Sequence, residues 1–422
     1  MKVLIVSYYF APYNTIGAVR VSKLAKYWTR QGHDVKVLTA KNVPLLETLP
    51  LEIAQENIID TPWFNVDFIP ELLFGGKAKV AKRGYPTSNS LANKLKLAYK
   101  TIFNFPDSQI GWYPYALRYA KKLLQDWKPD FIYASATPFT SLIVAKSLSS
   151  TYQIPWFAEL RDLWVDNHYH SYPKVRRFIE EKLEKQILST ATGLITVSQP
   201  LADKLRQKYS LPIAVILNGF DSEDFPEDMK EQFFDLNYLN IVYTGTIQLG
   251  YQDPSPLFAA LASLGTEAEK VRIHFYGRLS ENTISQIAGQ YKIGCLVKVH
   301  SPVAYGEALQ IQIQADILLL LLYNDPAEKG VYTGKLFEYI GARRPILGIG
   351  TSDGVAAELI EQREIGFVLN EPSQIATKLQ YWLKQKNENL VIPSLPKSAT
   401  VGLERKERAK DLESFILQTL GI

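Results

Sequence analysis

The stretch YTGKLFEYIGARRPIL (332–347) holds the densest group of residues able to do chemistry. Thr333 is placed to cap a helix opening with Gly334 and Lys335, so free backbone N–H groups, a positive dipole end and an ammonium converge on one point. Such a point suits a phosphate. On this helix Leu336, Phe337 and Ile340 form a core face, while Lys335 and Glu338, three apart, share the opposite side. A carboxylate one turn below a phosphate can accept hydrogen bonds from ribose hydroxyls. The plain alternative is a salt bridge between the two on a solvated surface.

Other groupings are weaker. Arg161 and Asp162 in ELRDLW (159–164) close a strand and read either as ligand-orienting groups or as a local ion pair. Asp166, His168 and His170 alternate as metal ligands can, but an exposed loop after the strand explains them as well. GIGTSDG (348–354) imitates a dinucleotide loop without the full G-x-G-x-x-G pattern. Nothing among serine, histidine and aspartate suggests a catalytic triad, and His33, His274 and His300 fall on predicted strands or their ends as structural residues.

These groups need a scaffold, and the apolar pattern supplies one. Short apolar runs alternate with helix-period segments along nearly the whole chain, the pattern of α/β layering on parallel sheets. Two series emerge. The first has strands at 2–8, 33–39, 130–135, 155–160, 193–198 and 213–218, with helices near 17–31, 111–127, 138–150, 172–190 and 199–209. Gly32 sits where the first helix should be capped. The second has strands at 240–245, 271–277, 296–301, 316–323, 345–350 and 365–370, with helices near 255–264, 304–314, 334–343 and 354–362. Runs such as DILLLLLY suit a sheet buried on both faces.

A chain of 422 residues suggests two or three domains, and 46% hydrophobic residues are enough for real cores. Residues 217–240 carry seven acids against Lys230 alone, a composition shift that marks an interdomain linker. The expected division is therefore 1–216, the linker 217–240, a second domain over 241–395, and a helical segment over 396–422. That last segment has an apolar face of Ala409, Leu412, Phe415 and Ile416, whose candidate partner is the N-terminal domain. The single cysteine, Cys295, permits neither an intramolecular disulfide nor a thiolate zinc site, which suits a reducing compartment. MKVLIVSYYFAPY reads as a first strand, and no apolar stretch approaches the roughly 20 residues of a spanning helix.

TGKLFEYIGARRPIL resembles the donor-binding signature of the GT-B glycosyltransferases of family 4, the retaining, group 1 type. Further strings follow in the order that family shows: IGAVR (16–20), GHDVKVLT, ELRDLW, ITVSQPLADKL (195–205), LNGFDSEDF (217–225) and YTGTI (243–247). The resemblance covers nearly the whole chain. It implies two Rossmann-like α/β domains facing across a cleft, the N-terminal one for acceptor and the C-terminal one for a nucleotide-sugar donor. It places Gly17, Gly245, Thr246, Arg278, Thr333, Gly334, Lys335 and Glu338 at the donor, and Arg161 and Asp162 at the sugar or acceptor as catalytic groups. Two departures stand out. Gly330 occupies the place of the first of two motif glutamates, and the basic pair often found after YTG is missing, leaving Lys335 and Arg278 to supply that charge.

The implied reaction is retaining sugar transfer from a nucleotide-sugar co-substrate to a glycan or lipid-linked acceptor, as in polysaccharide or glycoconjugate biosynthesis. No metal or other cofactor is expected, in keeping with the absence of a D-x-D motif. Two alternatives stay open: a sugar-nucleotide epimerase of the same fold, and a catalytically silent nucleotide-sugar-binding subunit. The net charge of +4 hides an uneven distribution, because 72–106 has no acid and seven bases. Mixed with leucines and aromatics, those bases suit either an anionic membrane surface or an excursion packed on the core. Nucleic acid is not an expected partner. The expected location is cytoplasmic, with peripheral attachment to the inner face of the cell membrane as the option the basic stretch raises.

Overall fold

The computed structural model describes residues 1–66, 104–167, 173–226, 231–248, 250–277, 281–325 and 329–422. The chain divides into two units, residues 1–216 with 409–422 and residues 217–408. Each unit is built on one parallel sheet. In the first, β1 (Lys2–Val6), β2 (Asp34–Ala40), β3 (Ile58–Thr61), β4 (Phe131–Ala136), β5 (Trp156–Leu160), β6 (Gly193–Thr196) and β7 (Ile213–Val215) lie in the order β3-β2-β1-β4-β5-β6-β7. In the second, β8 (Leu239–Thr244), β9 (Val271–Tyr276), β10 (Val297–His300), β11 (Ile317–Leu321), β12 (Ile346–Ile349) and β13 (Gly366–Val368) lie in the order β10-β9-β8-β11-β12-β13. All pairings within both sheets are parallel.

The strand sequences explain the layering. β4 and β11 are buried at every position, so both sheet faces are covered and an unbroken apolar run is the favoured strand sequence. Helix Gly334–Ala342 buries Leu336, Phe337, Tyr339 and Ile340. Each such large side chain taken out of water contributes about 1.5–3 kcal/mol. Helix Ile16–Arg30 is capped by Thr15, whose Oγ1 accepts from the Ala18 N–H at 3.0 Å. It is followed by Gly32 at φ +88°, a left-handed conformation that glycine adopts without strain.

In both sheets the chain runs outward and then returns to the starting strand. The order reverses between β1 and β4, and again between β8 and β11. Loops leaving such neighbouring strands diverge, and the crevice at their carboxyl ends is where open α/β sheets hold ligands.

Three elements have no counterpart in the sequence reading: β3, helix Glu281–Gln290 and helix Pro372–Asn389. The strand expected over 213–218 stops at Val215. Helix Arg405–Leu420 buries Ala409, Leu412 and Ile416, and Phe415 meets Phe157 of β5 edge-on at 6.1 Å. Near it, His33 Nε2 lies 2.7 Å from Glu413 Oε1. Among the described residues no helix is long and apolar enough to cross a membrane. Of the basic stretch 72–106, only 104–106 fall within the described residues.

Candidate functional site

In the second unit the crevice beside β8 gathers Gly245, Lys335 and Glu338. Gly245 follows β8 at φ +113°, and a Cβ there would stand 2.3 Å from Lys335 Cε. Only glycine lets the lysine stem lie on this turn. Lys335 Nζ donates to Tyr243 Oη at 2.8 Å, and that hydroxyl donates on to the Thr246 carbonyl at 2.9 Å. The same ammonium sits 4.6 Å from the Tyr243 ring centroid. An ammonium has three donors, and this bond uses one. Burial pushes Lys335 below its ordinary value, with Tyr339 and Glu338 opposing the shift.

Thr333 occupies the N-cap position of helix Gly334–Ala342 but its side chain makes no capping bond. The first N–H groups of that helix have no partner one turn back, as at any helix start. Glu338 does not pair with Lys335, contrary to the surface salt-bridge alternative. Instead Gln312 Nε2 reaches Glu338 Oε2 at 3.4 Å and Thr244 Oγ1 at 2.9 Å. Burial raises the Glu338 carboxyl above its ordinary value, against the lowering effects of Gln312, Arg405 and Lys335. Tyr339 completes the group, its hydroxyl accepting the Thr244 N–H at 3.1 Å.

Gln312 is absent from the sequence reading, and Tyr243, Thr244 and Tyr339 enter it only within the strings YTGTI and YTGKLFEYIGARRPIL, with no role of their own. Gln312 is wholly buried on helix Tyr305–Gln314, and its Oε1 is left without a hydrogen bond. Its surroundings, LQIQIQ, alternate like a half-exposed strand and carry no signal of burial. The tyrosines were legible only as apolar helix and strand positions.

In the first unit the crevice between β1 and β4 gathers Gly17 and Arg161. A Cβ on Gly17 would stand 2.6 Å from Arg161 Nη1 and Nη2, so the guanidinium fills the place a side chain would take. Arg161 donates from Nε to the Ala136 carbonyl and from Nη2 to the Thr137 carbonyl, both at 2.9 Å. It makes no salt bridge with Asp162, which is half-buried and holds no hydrogen bond among the described residues. Behind them lies a fully buried pair: Arg20 Nε donates to Glu159 Oε1 at 2.8 Å, and Ser135 Oγ donates to Glu159 Oε2 at 2.6 Å. Arg20 also donates to the Ile216 carbonyl at 2.9 Å. Burial alone would raise Glu159, but Arg20 and these hydrogen bonds hold it below the usual carboxylate range.

The remaining expectations fall as follows. Arg278, His168 and His170 lie outside the described residues. Asp166 pairs with Lys208 at 2.6 Å and faces Arg177 at 3.7 Å. In GIGTSDG, Asp353 is bound by Lys329 and by Thr351, and Gly350 pairs with the Asn370 side chain. His274 is a core residue: the Asn240 amide donates to two carbonyls, so its Oδ1 accepts from His274 Nε2, while Nδ1 faces His300 Nε2 at 3.1 Å. Burial, with His300 and nearby bases, pushes His274 down to about 3 and keeps it neutral.

The model of Glycosyltransferase Family 4 matches residues 17–224. That match spans just under half of the chain, and it runs from helix Ile16–Arg30 through the first unit into the start of the second. The chain is similar over its full length to HepE of Anabaena, solved with UDP and glucose, at TM-score 0.63 and 15% identity, covering 99% of this chain and 100% of that one. It is similar to sucrose-phosphate synthase of Thermosynechococcus elongatus at TM-score 0.60 and 15% identity, covering 100% and 98%. It is also similar to the lipopolysaccharide outer core galactosyltransferase WaaB at TM-score 0.56 and 11% identity, covering 99% of each chain. No curated protein sequence matches it. Likeness at these identities carries the fold, and the two parallel-sheet units are the two Rossmann-like domains of the GT-B fold.

Proposed function

We propose that this glycosyltransferase moves a sugar, with retention of configuration and without a bound metal, from a nucleoside-diphosphate sugar to a glycan acceptor carried on a lipid, in polysaccharide or glycoconjugate biosynthesis. The observation that carries the reading is the half-buried Lys335 ammonium. It holds two uncommitted donors at a helix start, with an unpaired carboxylate, Glu338, one turn further on. Departure of a nucleoside diphosphate leaves charge on its β-phosphate. Preorganised cations and N–H dipoles stabilise that charge as it forms, and here they are Lys335 and the N–H groups of Gly334 and Lys335. Glu338 accepts from the ribose hydroxyls. The leaving phosphate takes the acceptor proton, so the chain need not supply a nucleophile. Gly245 and Thr246 border the phosphates, Gly17 and Arg161 frame the sugar side, and Asp162, with its carboxylate uncommitted, orients the sugar or acceptor. The acid-free stretch 72–106 fits an anionic membrane surface, which would set the enzyme on the inner face of the cell membrane.

The UDP held by HepE makes uridine diphosphate sugars the first donors to test. A thermal-shift screen of nucleotide sugars should yield at least one that raises the unfolding midpoint, because only ligands bound to the native state do so. Labelled sugar from that donor should then appear on an acceptor. Isomerised free nucleotide sugar would point instead to an epimerase, and binding without turnover to a silent subunit. Glu338→Ala should abolish the thermal shift while leaving the fold intact. An unchanged donor affinity by calorimetry would remove Glu338 from the site.

A further inference from the structure

Helix Lys174–Leu188 of the first unit buries two of its three acids, and its bases other than Arg176 face outward. Glu180 is held by Arg176 at 2.7 Å, and Glu184 accepts from the Val165 N–H and the Tyr209 hydroxyl, each at 2.8 Å. Both carboxylates are buried. On the other side Val175, Phe178 and Ile179 stand 73%, 55% and 48% exposed. At 3.6 residues per turn these three share an arc of about 140° with Lys174, Lys182 and Lys185, and no acid falls within it. Lys182 lies over the Phe178 ring, its Nζ 4.3 Å from the centroid. The one exposed acid of the helix, Glu181, flanks the arc and is paired with Arg177 at 3.1 Å.

No other helix among the described residues exposes three large apolar side chains. Left in water, these side chains forgo the gain that burying them would bring. The charge selects the partner. A face that mixes bare apolar groups with lysines and lacks acids matches an anionic lipid surface, where apolar side chains enter the head-group boundary and lysine stems reach to the phosphates. The helix is also tied to the end of the basic stretch. Arg176 donates to the Asn104 and Pro106 carbonyls at 3.0 and 3.2 Å, where the acid-free stretch 72–106 rejoins the described chain.

We propose that this helix face docks the enzyme on an anionic bilayer, with Val175, Phe178 and Ile179 as the apolar anchors and Lys174, Lys182 and Lys185 as the phosphate contacts. It is a surface separate from the donor site, and its test does not depend on turnover.

Flotation of the full chain with phosphatidylcholine vesicles, with and without phosphatidylglycerol, provides that test. Binding should require phosphatidylglycerol and weaken with salt. Neutralising the lysines to glutamine should weaken it about fivefold for each one changed. The pair Phe178→Ser and Ile179→Ser should weaken it about tenfold or more, since each buried CH2 counts separately. The unfolding midpoint and nucleotide-sugar affinity should not move, because these side chains are exposed. The proposal fails if the chain does not float. It also fails if both variants float like the parent, which would leave 72–106 as the membrane contact. A concentration-dependent dimer abolished by Phe178→Ser with Ile179→Ser would overturn it too, assigning the face to a second copy.

Discussion

The two crevices at the sheet reversals treat charge in opposite ways. In the first unit, Arg20 and Glu159 are fully buried against each other, Ser135 fills the second carboxylate oxygen, and Arg161 is tied to two backbone carbonyls. In the second, Lys335 and Glu338 are half-buried, three residues apart, and bonded to neutral groups rather than to each other. Burial pushes both toward their uncharged forms. One crevice is a finished frame. The other holds desolvated charges not paired with each other, and under the proposed function an anionic donor with vicinal hydroxyls is their counterpart.

Three experiments press on this contrast. The largest effect should come from Glu159→Ala, which strands Arg20 in the core and should cost about 3–5 kcal/mol in urea unfolding. A loss below about 1 kcal/mol would end the reading of that pair as the frame. Next, Lys335→Met should slow sugar transfer by about 100-fold, as expected when one transition-state donor is removed. Its unfolding midpoint should hold or rise, since a charge disfavoured by burial is gone. A stability loss comparable to that of Glu159→Ala would make the two crevices alike.

The smallest effect is the most discriminating. Gln312 donates toward Glu338 and favours its ionised form, so Gln312→Leu should raise the carboxyl further. Donor binding that needs the carboxylate is lost as pH falls through that value, so in the variant the loss should begin at higher pH. At neutral pH the affinity should fall by about fivefold, the worth of one hydrogen bond. An unmoved pH profile would reduce Gln312 to packing.

Much of this was legible in the sequence. Short apolar runs marked twelve of the thirteen strands among the described residues, most clearly β11, where burial on both faces leaves no polar position to break the run. The short β3 offers only IIDT and was missed for that reason. Helix Pro372–Asn389 was missed although Ile375, Leu379, Trp382 and Leu383 repeat at helical spacing, a signal that was there to find. Gln312 left no trace at all. A glutamine in an alternating string looks like surface until the fold closes over it.

By itself, then, the sequence determined the alternation of layers, the two series, and a helix start with glycine, lysine and glutamate suited to a phosphate and a ribose. These are local properties, set by periodicity and by neighbours within a turn. Only the tertiary structure decided which charges are satisfied. Lys335 turns to Tyr243 rather than to Glu338, and Arg161 turns to Ala136 and Thr137 rather than to Asp162. The partners lie between 24 and 92 residues away, brought near by parallel strands whose order reverses, and the pairings of neighbours in sequence lose to them.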